Sequence, residues 1–153
     1  MSKVPHGRSL RRGRVSQPGQ IYLVTMVCAQ RLPAFAEFLA ARRAVLALHA
    51  AAVVGMTETL AFVVMPDHVH WLLQLRDGGT LGEAVRRFKA IITLAVGHPV
   101  WQRGFHDHAL RSDEALAAVA RYVVANPVRA GIVARVGDYP HWDAVWLDHQ
   151  RST

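Results

Sequence analysis

A pair of histidines separated by one residue is the part of this sequence that points most directly to chemistry. His68 and His70 follow the turn signal Met65-Pro66-Asp67 and open a strongly apolar run. On a β-strand, this spacing places both imidazoles on one face, roughly 6.6 Å apart along the strand, so that they can share one metal ion. Taken alone, the pair is more simply explained as two polar side chains on an exposed sheet face. Further motifs are needed to favour a metal site.

A tyrosine and an asparagine near the C-terminal end form a second group. Tyr122 and Asn126 are four residues apart, so they share a helix face if helical geometry continues to Asn126. A phenol, with a pKa near 10, needs a nearby base or metal to act as a nucleophile. The Asn126 amide oxygen can join His68 and His70 in binding Mg²⁺ or Mn²⁺. The alternatives are that Tyr122 is a half-buried packing residue and that Asn126 is the N-cap of a short turn at Pro127.

Two other groups of residues have competing interpretations. The segment His106-Asp107-His108 contains another pair of histidines with the same spacing. With His68 and His70 it can form a four-ligand zinc site, although we favour a structural role or a contact with substrate. The aromatic segment Tyr139–Trp146 can stack on nucleic-acid bases, but we expect it to cover an apolar edge of the sheet.

The composition predicts one compact domain in a reducing compartment. The chain has 153 residues, of which 52% are hydrophobic, and these values suit a globular protein with a real core. Cys28 is the single cysteine, so no internal disulfide can form, and we expect a cytoplasmic protein. The most apolar segment, Ala44–Met56, is too short to span a membrane. The basic N-terminus lacks the apolar core of a signal peptide.

The basic residues indicate a polyanionic partner. The chain carries a net charge of +7, and all but two of its 18 basic residues are arginines, whose planar guanidinium groups suit phosphate and base edges. Residues 1–18 are predicted to form a flexible basic arm ahead of a single domain over residues 19–153; the alternative is a solvated leader. The arginines of this arm are Arg8, Arg11, Arg12 and Arg14.

The elements that must position these residues alternate between strands and helices. Strand patterns cover residues 21–27, 58–64 and 68–75, with a shorter strand within residues 100–110. Helical patterns cover residues 35–54, from a capping box at Thr80 and Glu83 to about Val96, and from Ser112 to about Ala125. The order βαββαβ, followed by a helix that carries Tyr122, predicts an α+β ferredoxin-like sandwich with an antiparallel sheet.

Three motifs in order make the chain similar to a known family. They are Pro66-Asp67-His68-Val69-His70, the segment 101–108 (Trp-Gln-Arg-Gly-Phe-His-Asp-His), and the segment 122–131 (Tyr-Val-Val-Ala-Asn-Pro-Val-Arg-Ala-Gly). Together they resemble the REP-associated tyrosine transposases, which are single-tyrosine HUH enzymes related to small insertion-sequence transposases. The resemblance extends from about Gly19 to Trp142, which is most of the chain.

The resemblance implies a fold, a substrate and a set of site residues. Family members have a ferredoxin-like core, bind single-stranded DNA that carries REP hairpins, and cut it with a divalent metal, Mg²⁺ or Mn²⁺. On this chain, His68 and His70 become the HUH metal ligands and Asn126 a further polar ligand. Tyr122 becomes the nucleophile, which forms a 5′-phosphotyrosine and releases a free 3′-hydroxyl. The REP-associated group implies a monomer, whereas related insertion-sequence enzymes are dimers.

The resemblance also implies DNA contacts outside the reaction centre. Family members read a tetranucleotide at the foot of the hairpin with their N-terminal region, among other parts, and the matching basic positions here are Arg11, Arg12 and Arg14. We also expect phosphate contacts, or alternatively only a solvated charged face, at Arg86, Arg87 and Lys89. Two other functions stay open: a non-catalytic nucleic-acid-binding module on the same scaffold, and a metallohydrolase that uses all four histidines and water.

Overall fold

The computed structural model describes residues 16–111 and 113–145 as an α+β fold built on one antiparallel sheet. The predicted arm residues Arg11, Arg12 and Arg14 lie outside these ranges, as do Ser112 and Trp146. The five strands are β1 (Ile21–Val27), β2 (Thr57–Met65), β3 (His68–Leu75), β4 (His106–Ala109) and β5 (Trp142–Ala144).

The sheet has the strand order β4-β1-β3-β2-β5. The first four strands form the antiparallel βαββαβ arrangement predicted from the sequence, and β2 and β3 form the expected hairpin. The short fifth strand was not predicted. Trp142–Ala144 pairs with Ala61–Val63 at the free edge of β2, so this part of the aromatic segment covers a sheet edge as expected, but by backbone pairing.

The helices differ from the sequence prediction mainly over residues 35–54, where the first helix begins only at Phe38. They are α1 (Phe38–Leu48), α2 (Ala51–Val54), α3 (Leu81–Val96), α4 (Asp113–Val124) and α5 (Asn126–Arg129). The single helix predicted over residues 35–54 is interrupted at His49, whose Nδ1 lies 2.9 Å from the Val45 carbonyl oxygen and can cap the end of α1. None of the helices within the described residues is long and apolar enough to cross a bilayer.

Helix α3 begins and ends as the sequence indicates. The Thr80 hydroxyl accepts a hydrogen bond from the Glu83 N–H at 3.2 Å, which caps the first turn. Gly97 follows the last turn with φ +92°, a left-handed conformation that glycine adopts without a steric penalty. These local signals explain why the bounds of this helix could be predicted.

Alternating residues of β3 separate two cores. Val69, Trp71 and Leu73 are fully buried in the core that also contains residues of α1 and α3. Leu72 faces the other way and is buried with Val123 and other residues of α4. Because side chains alternate along a strand, His68 and His70 project from the face that α4 covers. The histidine pair and the tyrosine helix therefore share one side of the sheet.

Candidate active site

The two histidines of β3 are held close together by polar partners. Their ring centroids are 4.8 Å apart and the planes are nearly perpendicular, at 81°. His68 Nδ1 lies 2.7 Å from Asp67 Oδ1, and His70 Nδ1 lies 2.9 Å from the Thr25 hydroxyl. These partners fix both ring orientations and leave Nε2 as the nitrogen that each imidazole can offer to a metal.

The electrostatic surroundings keep His70 neutral and Asp67 ionised. Burial, followed by the charges of His68 and Arg129, lowers the pKa of His70 to about 4. Burial opposes the ionisation of Asp67, but hydrogen bonds from His68 and Arg31 outweigh it and lower the pKa of this carboxyl group. A neutral imidazole is the form in which histidine ligates metals, and His70 meets this condition.

Tyr122 lies at the end of α4, where Arg129 contacts it. The tyrosine is 53% exposed, although its neighbour Val123 is fully buried. The Arg129 guanidinium carbon is 3.8 Å from the centroid of the tyrosine ring, and Arg129 Nη2 donates to the Tyr122 carbonyl at 2.7 Å. Arg129 is also the cation whose charge lowers the pKa of His70. Arg129 thus contacts the tyrosine, and its charge also acts on His70 in the same chain.

Pro127 explains the local geometry of this motif. Proline has no N–H, so the Val123 carbonyl loses the donor that a continuing helix would supply. The Asn126 amide Nδ2 lies 3.4 Å from that carbonyl and donates to it instead. Ala125 occupies the N-cap position of α5, so Asn126 is not the N-cap that one interpretation proposed. With its NH₂ group directed to the backbone, Asn126 has its Oδ1 atom left to offer to a ligand.

The second histidine pair lies on the same face but across strand β1. Thr25 pairs with His70 on one side and with His106 on the other, and both His106 and His108 are exposed. Two strand spacings amount to about 9.6 Å, which is too far for His70 and His106 to share one ion. Within residues 16–111 and 113–145, no group of three or more His, Cys, Asp or Glu side chains is arranged to hold a metal.

The basic residues predicted on α3 lie on the opposite face of the sheet. Arg86 Nε and Arg87 Nε are 2.9 and 3.0 Å from the Glu83 carboxylate, and these hydrogen bonds lower the pKa of Glu83 to about 2. Lys89 donates to the Gln102 carbonyl at 3.1 Å. The structure does not bring these three cations to the histidine pair. DNA bound at the histidine pair would have to extend around the sheet to contact these three residues. Their contact with DNA stays a prediction.

The sequence is similar to two bacterial proteins described as REP-associated tyrosine transposases. A relative from Haemophilus influenzae is 31% identical over 100 residues, which cover 55% of this chain and 57% of the relative. A relative from Escherichia coli is 34% identical over 85 residues, covering 54% of this chain and 52% of the relative. The chain therefore spans about half the length of the curated relatives it matches. No family model matches the sequence.

The fold is similar to that of a solved protein with the same description. The structure of a REP-associated tyrosine transposase bound to a REP hairpin superposes with a TM-score of 0.70 at 26% identity, over 84% of this chain and 79% of that one. The chain is similar in sequence and fold to REP-associated tyrosine transposases. This confirms the resemblance stated from the three motifs. A transposase from Deinococcus radiodurans shares the fold, with a TM-score of 0.51 at 19% identity over 67% of this chain and 87% of that one.

Sequence reasoning missed four residues at this candidate site. Thr25, Arg31, Asp67 and Arg129 contact the predicted residues or one another. Asp67 and Arg129 belong to the motifs that carry the family resemblance, so their positions offered a signal although no role was assigned. Thr25 could be found only from the register of β1 against β3.

Proposed function

We propose that this protein is a metal-dependent strand transferase that cuts single-stranded DNA next to a hairpin, with Tyr122 as the nucleophile. The observation that carries the proposal is that the helix bearing Tyr122, which Arg129 contacts, covers the same face of the sheet from which His68 and His70 project. It supports a reaction centre assembled from one chain, and hence a monomer that acts in cis. The names of the relatives support the same chemistry.

The donor set fits a divalent metal ion such as Mg²⁺ or Mn²⁺. His68 and His70 would bind it through Nε2, since both Nδ1 atoms are already hydrogen-bonded, and Asn126 would add an amide oxygen. A metal ion held by these three side chains would supply positive charge beside the scissile phosphate and so favour in-line attack.

The proposed reaction exchanges one phosphodiester for another. The Tyr122 oxygen forms a bond to phosphorus as the bond from phosphorus to the 3′-oxygen breaks; the phenol proton passes to solvent and the released 3′-oxygen is protonated. The product is a 5′-phosphotyrosine and a free 3′-hydroxyl. Attack by a 3′-hydroxyl on the phosphotyrosine reverses these steps, so DNA can be rejoined without an external energy source. Arg129 fixes the tyrosine ring for this attack.

Hairpin DNA is the substrate class that best suits the charge and the exposed surface. The chain has a net charge of +7, and the similar transposase structure is bound to a REP hairpin. The exposed His106 and His108 lie on the same face as His70, where a single strand can cross β1. We assign reading of the bases at the foot of the hairpin to the basic arm with Arg11, Arg12 and Arg14.

A covalent-adduct assay tests this function. The protein is incubated with Mn²⁺ and an oligonucleotide that has a palindromic hairpin and single-stranded flanks, and the products are separated in denaturant. We expect a protein–DNA adduct that Tyr122→Phe abolishes without loss of DNA binding. Tyr22→Phe is the matched control, because Tyr22 is buried and its hydroxyl accepts only the Gln17 N–H, at 3.3 Å, among the bonds observed.

The same assay separates the competing functions. Binding without an adduct, over varied hairpins and with both Mn²⁺ and Mg²⁺, would indicate a non-catalytic binding module. Cleaved products without attached protein, together with an active Tyr122→Phe variant, would indicate a hydrolase that uses water. Either result would overturn the proposal.

A further inference from the structure

We propose that Arg31 forms a binding subsite for a backbone phosphate of single-stranded DNA, next to the histidine pair. This inference rests on the proposed function and deepens it, because it assigns a contact to the DNA strand beside the reaction centre. Arg31 belongs to none of the motifs that the sequence analysis identified.

A single carboxylate connects Arg31 to the histidine pair. Arg31 Nη1 lies 3.1 Å from Asp67 Oδ2, and the other oxygen of the same group, Oδ1, lies 2.7 Å from His68 Nδ1. Strand β1 ends at Val27, opposite His68, so the loop that follows β1 begins at the end of the sheet where the pair lies. The guanidinium group is therefore held close to the position proposed for the scissile phosphate.

The backbone at Arg31 has an unfavourable conformation. Gln30 and Arg31 have φ angles of 56° and 54°, and among the described residues they are the only ones other than glycine with positive φ. Left-handed backbone is costly for residues with a Cβ, and such conformations cluster at functional sites. Hydrogen bonds from the Cys28 N–H to the Asp67 carbonyl and from the Phe35 N–H to the Pro66 carbonyl, both 2.9 Å, tie the loop to the turn before β3.

The stability gained from the Arg31–Asp67 ion pair does not by itself explain why the backbone adopts this costly conformation. The Arg31 side chain is 63% exposed, and ion pairs between exposed side chains contribute little to folding. The arrangement instead orients the guanidinium group. One of its nitrogens is hydrogen-bonded to Asp67, and solvent can reach the others. A planar fork with several free N–H groups is suited to two oxygens of one phosphate.

The salt dependence of DNA binding tests the subsite. Affinity is measured by fluorescence anisotropy, with EDTA and in the Tyr122→Phe background, for a labelled hairpin oligonucleotide with single-stranded flanks. Arg31→Ala should lower affinity about tenfold and reduce the slope of log K against log salt by about 0.7, the value for one phosphate of a single strand. Arg31→Lys should keep the slope and bind more weakly than Arg31, since it retains the charge but not the fork.

Arg135→Ala is the matched control, because Arg135 is an exposed arginine paired with an aspartate, at 3.5 Å from Asp138. It should change neither affinity nor slope. Replacement of single phosphates by uncharged methylphosphonates then locates the contact. At the phosphate that Arg31 binds, the replacement should weaken the Arg31 protein about tenfold and leave the Arg31→Ala variant almost unchanged.

The outcomes distinguish this inference from the proposed function. An unchanged slope in a folded Arg31→Ala variant, with no phosphate whose replacement mimics the mutation, would overturn the subsite even if the wild-type chain forms its adduct. A reduced slope in a protein that forms no adduct would support the subsite and overturn strand transfer.

Discussion

Arg129 and Tyr122 are joined twice, once through the ring and once through the backbone. The guanidinium carbon lies 3.8 Å from the ring centroid, and Nη2 donates to the tyrosine's own carbonyl at 2.7 Å. That carbonyl is one of the acceptors left unpaired where α4 ends. The arginine therefore satisfies the end of the helix and fixes the proposed nucleophile at the same time.

Loss of Arg129 should slow the reaction much more than it weakens DNA binding. A cation–π contact of about 0.5–2 kcal/mol and a hydrogen bond of about 0.5–1.5 kcal/mol correspond together to a rate about 5- to 400-fold lower for Arg129→Ala. Single-turnover adduct formation measures the rate, and anisotropy measures binding. Arg121→Ala, an exposed arginine on α4 next to Tyr122 in the sequence, is the control. Equal losses of rate and affinity would contradict a positioning role.

Asp67→Asn should weaken metal binding. The carboxylate orients His68 through Nδ1, and removal of such a partner typically costs about 10- to 100-fold in metal affinity or activity. Titration of Mn²⁺, followed by its electron paramagnetic resonance signal, should show the loss directly, and excess Mn²⁺ should restore adduct formation. Asp138→Asn, at an exposed ion pair far along the chain, should behave as wild type. Unaltered Mn²⁺ affinity in Asp67→Asn would exclude the proposed role.

Replacement of the second histidine pair should weaken DNA binding and leave metal binding unchanged. His106→Ala with His108→Ala removes two exposed side chains that β1 separates from His70. We expect about a two- to tenfold loss of affinity for the hairpin oligonucleotide, consistent with about 0.4–1.4 kcal/mol from weak exposed contacts. The Mn²⁺ affinity should be unchanged. A collapse of metal binding would instead favour the four-histidine site.

Glu83 should contribute stability that depends on pH. Hydrogen bonds from Arg86 and Arg87 lower its pKa from 4.5 to about 2 in the folded protein. Because the folded pKa is the lower one, the stabilisation is present above about pH 4.5 and is lost as the pH falls towards 2. Glu83→Gln should therefore lower the Tm slightly at pH 7 in low salt, and the difference should disappear near pH 2.

Salt provides the check on that prediction. Exposed ion pairs are screened at high ionic strength, so the effect of Glu83→Gln at pH 7 should shrink in 1 M NaCl. Thermal unfolding followed by circular dichroism measures both effects. A difference in Tm that persists at pH 2, or that is insensitive to salt at pH 7, would assign the effect to the helix itself and not to the ion pairs.

Local signals determined which elements could be predicted from the sequence. The strand bounds His68–Leu75 and the helix bounds Leu81–Val96 were predicted correctly, since a turn, a capping box and a glycine mark them. The break at His49 was missed because it depends on the imidazole reaching the Val45 carbonyl. Strand β5 was missed because three residues become a strand only when a neighbouring edge is available.

The residues of the candidate site also fall into two groups, those that the sequence indicates and those that only the fold reveals. His68, His70, Tyr122 and Asn126 could be named as candidates because their spacing and the family motifs can be read from the sequence alone. The partners that hold them depend on strand register and on the path of the chain after Pro127, neither of which periodicity reveals. Arg31 is the extreme case, because its contact with Asp67 requires two left-handed residues that no local signal predicts.

The two faces of the sheet differ in how far they are buried. One face is buried under α1 and α3 with Trp71 at its centre, whereas on the other face His106 and His108 stay exposed beside β1. Substitutions at His106 and His108 leave the main core untouched, so under the proposed function the contacts with DNA and the thermal stability can change independently. A library limited to His106 and His108 is therefore a sensible starting point for changing the proposed contacts with DNA.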